Sequence, residues 1–345
     1  MQEDSAMPGV TGEELFAKAR ELCKKEGSAG WRLAQKAILK DKSCNQELQE
    51  AIEYAMLKYK PDYFRPALLS FSCKAVGGKQ KNTVSTGAAL TLLAWAIGIH
   101  DDIIDQSRTK NGRPTVLGKF GKDLALILSD VLLFKGFTLL RETLKSETPV
   151  ATIVRILETV EEIWFEQSEG EAFEIQHRGL IDVTPRDCLK KIRMRASEIE
   201  ACARIGGILG GGTAIHVERL GKYGRLVGMM GILRNEVIDM LELDVLKHRI
   251  KTESLPLPVV YALQDSSTRP KLITLTTKRK LSEGDLRTIS RLSDDSKSIE
   301  RVAKLIGEMS REASSYAKSF KNKELELLAT PFQINPREWR KQFSD

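Results

Sequence analysis

Two short acidic runs carry the chemistry that this sequence offers. The first, His100-Asp101-Asp102-Ile103-Ile104-Asp105, ends a long uncharged stretch. On a helix, Asp101 and Asp105 stack on one face about 6 Å apart along the axis, with Asp102 about 100° round. The second is Asn235-Glu236-Val237-Ile238-Asp239, where Asn235 and Asp239 repeat the four-residue spacing and Glu236 takes the flanking place. Carboxylate oxygens gathered in this way suit Mg2+, which keeps several waters and bridges to phosphate oxygens. Basic residues follow both runs: Arg108, Lys110 and Arg113 after the first, Lys247, His248, Arg249 and Lys251 after the second. A metal beside Lys and Arg is what a diphosphate needs, both to bind and to depart. Either run alone also reads as a solvated helix end, because short acidic motifs recur by chance. Their shared spacing and shared basic neighbours favour a ligand site.

Residues so placed need helices to hold them, and the sequence supplies little else. Apolar residues recur at three- and four-residue spacing over 12–25, 45–60, 66–77, 83–105, 121–143, 150–177, 186–208, 217–242, 253–264 and 298–320. Pro61, Pro66, Pro114, Pro185 and Pro256 fall near the boundaries, where proline punctuates helices. Alternating β-branched runs are nearly absent. The charged, Ser-rich stretch 265–297 reads as irregular or as a pair of short helices. The expectation is an all-α antiparallel bundle in one domain over 1–345, with N-terminal helices in 1–45 and C-terminal helices and a tail in 265–345.

Composition narrows the class. With 345 residues, 41% hydrophobic and 29% charged, the chain has ample apolar area for a core and is not of the disordered type. Lys+Arg 54 against Asp+Glu 47 is a modest, dispersed excess, so no nucleic-acid partner is expected and a phosphorylated substrate suits it. Five scattered cysteines and four histidines build no zinc spacing and point to a reducing compartment, the cytoplasm. The start MQEDSAMPGV is acidic and polar, so no secretory signal is expected. The uncharged run 82–100 is long enough to span a membrane, but Ser85, Thr86, Gly87 and Gly98 interrupt it, and a buried bundle helix is expected instead. The run Gly206-Gly207 with Gly210-Gly211-Gly212 lacks the strand and Lys-Ser of a phosphate loop, so close helix packing is expected there.

From about residue 50 to 265, and more loosely to the C-terminus, the chain resembles the trans-isoprenyl diphosphate synthases of the polyprenyl synthetase family. HDDIID, Gly112-Arg113-Pro114-Thr115 and the helix after it resemble the first aspartate-rich motif and its sequel. Tyr63-Phe64-Arg65-Pro66 resembles the end of a Gly-Gly-Lys-x-x-Arg-Pro motif. Gly170-Glu171 and 201–207 sit where related helices would be. Asn235–Asp239 stands in the place of the second aspartate-rich motif, and Ser254-Leu255-Pro256 resembles its following Thr-Leu-Pro. The resemblance implies a prenyltransferase with an apolar central cavity, in which three Mg2+ ions hold an allylic diphosphate between the clusters. Asp101, Asp102, Asp105 and Lys110 would be catalytic. Asp101, Asp102, Asp105, Asn235 and Asp239 would ligate metal, and Lys110 would contact the allylic diphosphate. An allylic cation attacked by isopentenyl diphosphate would then lengthen the chain.

The chain departs from that pattern where isopentenyl diphosphate should bind. Asp62 stands in the place of the motif lysine, Ala94 in that of a His or Gln, and Asn111 in that of an Arg, leaving Arg65. Arg193 and Arg195 are candidate substitutes for a Lys-Thr pair that falls near Met194-Arg195. Lys247, Arg249 and Lys251, in what reads as a shortened loop, are candidate replacement cations, as are Arg337, Arg340 and Lys341 of the tail. Two further readings therefore stand beside chain elongation: a terpene synthase that cyclises an allylic diphosphate unaided, and a regulatory subunit of a heteromeric synthase. Ala96 and Ile97, where family members carry bulky residues to close the tail pocket, imply a product of twenty carbons or more. The resemblance also implies a homodimer, or a heteromer with another prenyl synthase subunit.

Overall fold

A computed structural model describes residues 13–59, 61–110, 112–143 and 148–342. The first twelve residues and Asn111 lie outside that range. Among the described residues the chain is all-α apart from a two-stranded hairpin, as the periodicity implies. In order, the helices are α1 (Glu13–Lys40), α2 (Gln46–Glu53), α3 (Phe64–Ala75), α4 (Val84–Ile104), α5 (Val116–Phe120), α6 (Lys122–Thr143) and α7 (Val150–His177). There follow α8 (Pro185–Arg195), α9 (Ser197–Leu209), α10 (Ala214–Ile238), α11 (Leu243–Thr252), α12 (Leu257–Ala262) and α13 (Arg269–Thr276). The last are α14 (Glu283–Asp295), α15 (Ser298–Ser319), α16 (Lys323–Leu328) and α17 (Pro336–Lys341). A π-helical turn, Tyr54–Lys58, extends α2.

The uncharged helix α4 is the spine, packed against α1, α3 and α6. It is long and apolar enough to cross a membrane, yet 56% of its apolar window is buried inside the protein. Small residues let its neighbours approach: a Cβ on Gly136 would lie 2.7 Å from Leu93, and one on Gly87 would lie 3.1 Å from Pro66. The glycine run works in the same way. A Cβ on Gly206 would come 2.3 Å from the Leu69 carbonyl and one on Gly210 2.5 Å from that of Cys73, so α9 can lie directly on α3. Gly211, at φ +78°, then ends the turn after α9 in a conformation that costs glycine little. Burial of Leu68, Leu69, Phe71 and Leu92 between these helices is worth roughly 1.5–3 kcal/mol for each side chain.

Three expectations change. The stretch after the second acidic run is the helix α11, not a loop, because Leu243, Leu246 and Ile250 repeat at helical spacing and Leu246 and Ile250 bury that face. Residues 186–208 form two helices that break at Ala196, which neither Gly nor Pro signals. The first helix runs on to Lys40. The segment 265–297 holds the helix pair α13 and α14, of which α14 is started by a capping box between Ser282 and Asp285.

Candidate active site

The first acidic run ends α4. Asp101 and Asp102 lie in its last turn and Asp105 caps it, its N–H donating to the Asp101 carbonyl at 2.8 Å. Gln106 takes a positive φ, and the chain turns back through the hairpin Thr109–Lys110 with Arg113–Pro114. Two groups fix that return. The Thr115 hydroxyl donates to the Ser107 carbonyl at 2.7 Å. At Gly118 any Cβ would fall 1.9 Å from the Arg108 carbonyl oxygen, so only glycine lets α5 press on the hairpin.

The hairpin sets Lys110 over the carboxylates, with Nζ 2.5 Å from Asp102 Oδ1 and 3.4 Å from Asp101 Oδ2. From α8, Arg195 reaches the other side of Asp101 (Nη2 to Oδ1, 2.8 Å) and also Glu171 on α7 (Nε to Oε1, 3.1 Å). Glycine at 170 permits this, because a Cβ there would already lie 3.2 Å from the Arg195 stem. Arg178, just past α7, donates to Asp105 Oδ1 at 2.8 Å and to the Ile104 carbonyl at 2.9 Å.

The second run ends α10, and its acids meet one cation. Arg249 of α11 is buried and donates to Glu236 at 2.6 Å and to Asp239 at 2.9 Å, with Glu253 at 3.3 Å. Glu236 also accepts the Leu257 N–H at 2.7 Å, which fixes the start of α12. Asn235 is half-buried beside them. The same α11 ties the two runs together: His248 Nε2 lies 2.9 Å from the Asp105 carbonyl oxygen and 3.7 Å from Glu253. Beneath the mouth, Lys191 is buried against Glu174 (2.5 Å) and the Ser254 hydroxyl (2.6 Å), while the Ser254 N–H donates to Glu174.

Carboxylates outnumber cations here: Asp101, Asp102, Asp105, Glu171, Glu236, Asp239 and Glu253 face Lys110, Arg178, Arg195 and Arg249. Protonation follows the surplus. Burial raises Asp101, but Arg195 and Lys110 outweigh it and hold the group below its ordinary value. Asp102 is raised by burial in spite of Lys110. Asp105 is pushed to about 8 by burial, then by Asp101 and Glu253. Glu171 is pushed to about 7, with burial the leading cause, Arg195 opposing, and Asp101 and Glu174 adding. Its Oε2 is buried without a hydrogen-bond donor.

Such a surplus suits a divalent cation. Among the described residues, however, no three carboxylate, histidine or cysteine side chains converge to chelate one ion, because each acid faces lysine or arginine instead. The donor set fits a hard metal by its chemistry, and the cations now hold those donors.

Of the sequence-derived candidates, Asp101, Asp102, Asp105, Lys110 and Arg195 meet in one mouth, and Asn235 and Asp239 stand at the second cluster. Others do not meet there. Arg193 is two residues from Arg195, about 200° round α8, and lines an outer cleft with Arg155 and Arg204. Lys247 is exposed on α11, and Lys251 donates to the Lys278 carbonyl at the surface. Arg340 pairs with Asp294 and Glu300, and Lys341 with Glu338, while buried Trp339 docks its Nε1 on the Val237 carbonyl. Through Arg340 the tail therefore braces α14 and α15. Arg65 is gripped by Asp62 (2.7 Å) and Glu198 (2.6 Å). Ala96 is buried in the core and Ile97 half-buried. Glu174, Arg178, Lys191 and Glu198 went unnoticed in the sequence. The signal for the first two was present: Gln167, Glu171, Glu174 and Arg178 repeat at four, three and four residues, a polar stripe on one face of α7.

Known proteins resemble this chain in sequence and in fold. The model of the family described as polyprenyl synthetase matches residues 45–292. The short chain isoprenyl diphosphate synthase of Methanothermobacter thermautotrophicus is 29% identical over 178 residues, 51% of this chain and 54% of that protein. The chloroplastic geranylgeranyl pyrophosphate synthase of Capsicum annuum is 27% identical over 279 residues, 79% of this chain and 72% of its own length. The chain thus spans about half the length of the first of these relatives. Among solved structures, geranylgeranyl pyrophosphate synthetase from Pyrococcus horikoshii Ot3 shares the fold at a TM-score of 0.79, with 24% identity, covering 92% of this chain and 97% of that one.

Proposed function

The chain belongs to the polyprenyl synthetase family, and from that membership we propose that it is a Mg2+-dependent prenyltransferase acting on an allylic diphosphate. The observation that supports this is the mouth, where carboxylates from the ends of α4 and α10 exceed the cations set among them. Asp101, Asp102, Asp105, Asn235 and Asp239 would hold the metal, and Glu171, with its buried unpaired oxygen, joins the candidates. Bound there, the metal supplies Lewis-acid stabilisation of a departing diphosphate. Lys110 and Arg195 are kept at the mouth by the same carboxylates. Once those acids are engaged elsewhere, both cations are free to donate to diphosphate oxygens, already aimed and partly desolvated. Behind them on the same face of α4, a Cβ on Gly98 would meet nothing within 4 Å, which leaves room for a hydrocarbon tail. Isopentenyl diphosphate as acceptor and a product of twenty carbons or more complete this reading; relatives named for geranylgeranyl products support it.

Incubation with Mg2+ and farnesyl or geranylgeranyl diphosphate, with labelled isopentenyl diphosphate, tests it. Longer labelled diphosphates are the expected products. A second reading, ionisation without a second diphosphate, is favoured by Arg65, whose charge is already spanned by two carboxylates. Unlabelled hydrocarbon or alcohol would establish it in place of elongation. If Arg65 anchors the acceptor, Asp62→Asn with Glu198→Gln frees it, and the KM for isopentenyl diphosphate should fall roughly tenfold, since charge-assisted hydrogen bonds are worth about 1.5–3 kcal/mol. An unchanged KM would remove Arg65 from the acceptor site.

Self-association belongs to the same reading. Ile127, Phe134 and Phe137 form an exposed apolar stripe on α6, with Phe134 72% exposed, and Phe137 adjoins Trp164 of α7 at 6.5 Å between ring centroids. Patches of this kind mark association surfaces. Phe134→Glu should halve the mass seen by light scattering; an unaltered mass would place any interface elsewhere.

A further inference from the structure

We propose that the cleft between α7, α8, α9, α10 and α15 is a second anion site, which takes a phosphate or diphosphate group on Arg155 and Arg193. The cleft measures about 720 Å3 and lies behind the catalytic mouth, on the other side of α8. Five basic side chains line it against three acidic ones. Most of these charges are spoken for. Arg225, nearly buried, forks onto both oxygens of Glu166 at 2.7 Å, reaches Glu200 at 2.5 Å and donates to the Arg193 carbonyl at 2.5 Å. Arg204 pairs with Glu162 at 2.8 Å and Lys222 with Glu218 at 2.7 Å. Glu312 accepts from the Tyr316 hydroxyl at 3.5 Å and adds its charge to that of Glu218 beside Lys222.

Arg155 and Arg193 remain, with no carboxylate partner among the described residues. Arg155 and Arg193 each line the cleft, and a single guanidinium fork offers the paired N–H donors that planar or tetrahedral oxyanions accept. The backbone beneath them is held, because Arg225 fastens α8 at the Arg193 carbonyl through charges that are themselves satisfied. Val217, Leu226 and Tyr316 add apolar lining, so an organic phosphate fits the cleft as well as a free one.

Titration calorimetry of the full chain with inorganic diphosphate tests the proposal. The wild type should show two classes of site, and Arg155→Gln with Arg193→Gln should lose one class, its affinity falling at least tenfold. The same isotherm from both proteins would overturn the assignment. Both side chains are exposed, so folding should survive. As a second measurement that needs no variant, diphosphate should shield Arg155 and Arg193 of the wild type from phenylglyoxal, read by mass spectrometry; unshielded labelling would count against the site. Geranyl diphosphate as a second probe separates the sources: tighter binding than inorganic diphosphate assigns an isoprenoid ligand resting on Leu226 and Tyr316, and equal binding assigns the free anion.

Discussion

Asp101→Ala should lower kcat/KM by at least about 10²–10³, the loss seen when one preorganised partner of a developing charge is removed. Asp101 is the carboxylate at which the mouth converges, touched by Lys110 from the hairpin and by Arg195 from α8. It stays ionised at neutral pH because those two cations outweigh its burial. Its removal costs a metal donor and one of the two carboxylate contacts that hold each cation. Stability should change little, since Lys110 keeps Asp102 at 2.5 Å and Arg195 keeps Glu171 at 3.1 Å. A Mg2+ titration of steady-state rates with prenyl diphosphate substrate, alongside thermal unfolding, checks both halves. Activity at the wild-type level in a folded variant would mean that this chain does not perform the chemistry, and would leave a regulatory role beside an active partner.

The second large effect is on stability. Lys191→Met should destabilise the fold by about 3–5 kcal/mol, because it strands a buried carboxylate. Lys191 and Glu174 are 5% and 1% exposed, and among the described residues their hydrogen bonds run to each other and to Ser254. Adding Glu174→Gln should restore most of the loss, since the amide oxygen still accepts the Ser254 N–H and no charge remains. The pH dependence should reverse sign. In the wild type, burial raises Glu174, but Lys191, Arg195 and the Ser254 N–H together hold it well below its ordinary value. The stability it confers is therefore present above roughly pH 4.3, its unfolded value, and fades only as pH falls toward the depressed folded one. Without the lysine, burial raises the carboxyl, the folded state binds the extra proton, and stability falls as pH rises above about 4.3. Guanidinium unfolding at pH 3, pH 5 and pH 8 reads both effects, the wild type losing this stability between pH 5 and pH 3 and the variant between pH 5 and pH 8. A loss under about 1 kcal/mol, or no reversal, would mean that the pair is not held as buried ions.

How much of this was legible beforehand depends on range along the chain. The periodic apolar runs located α3, α4, α6, α7, α10 and α15 to within a few residues, because each is long and buries one face. The two acidic runs were legible because spacing within one helix fixes which side chains share a face. The shape of 243–252 was not legible, since a short helix rich in basic residues resembles a loop until its buried edge has a neighbour.

Sequence by itself determined an all-α protein, two carboxylate clusters at helix ends and basic residues close behind them. Tertiary structure alone decided which cation serves which acid. Arg195 and Arg193 are near-identical in the sequence, yet one meets Asp101 and the other an outer cleft, because two residues on a helix point to opposite sides. Arg249 proved to be the buried clamp of the second cluster, while Lys251 and Arg340 bind other partners at the surface. Lys191 with Glu174, and Arg65 with Glu198, join positions 17 and 133 residues apart. Helical periodicity says which way a side chain faces; what it faces is set by the packing of helices that local sequence does not encode.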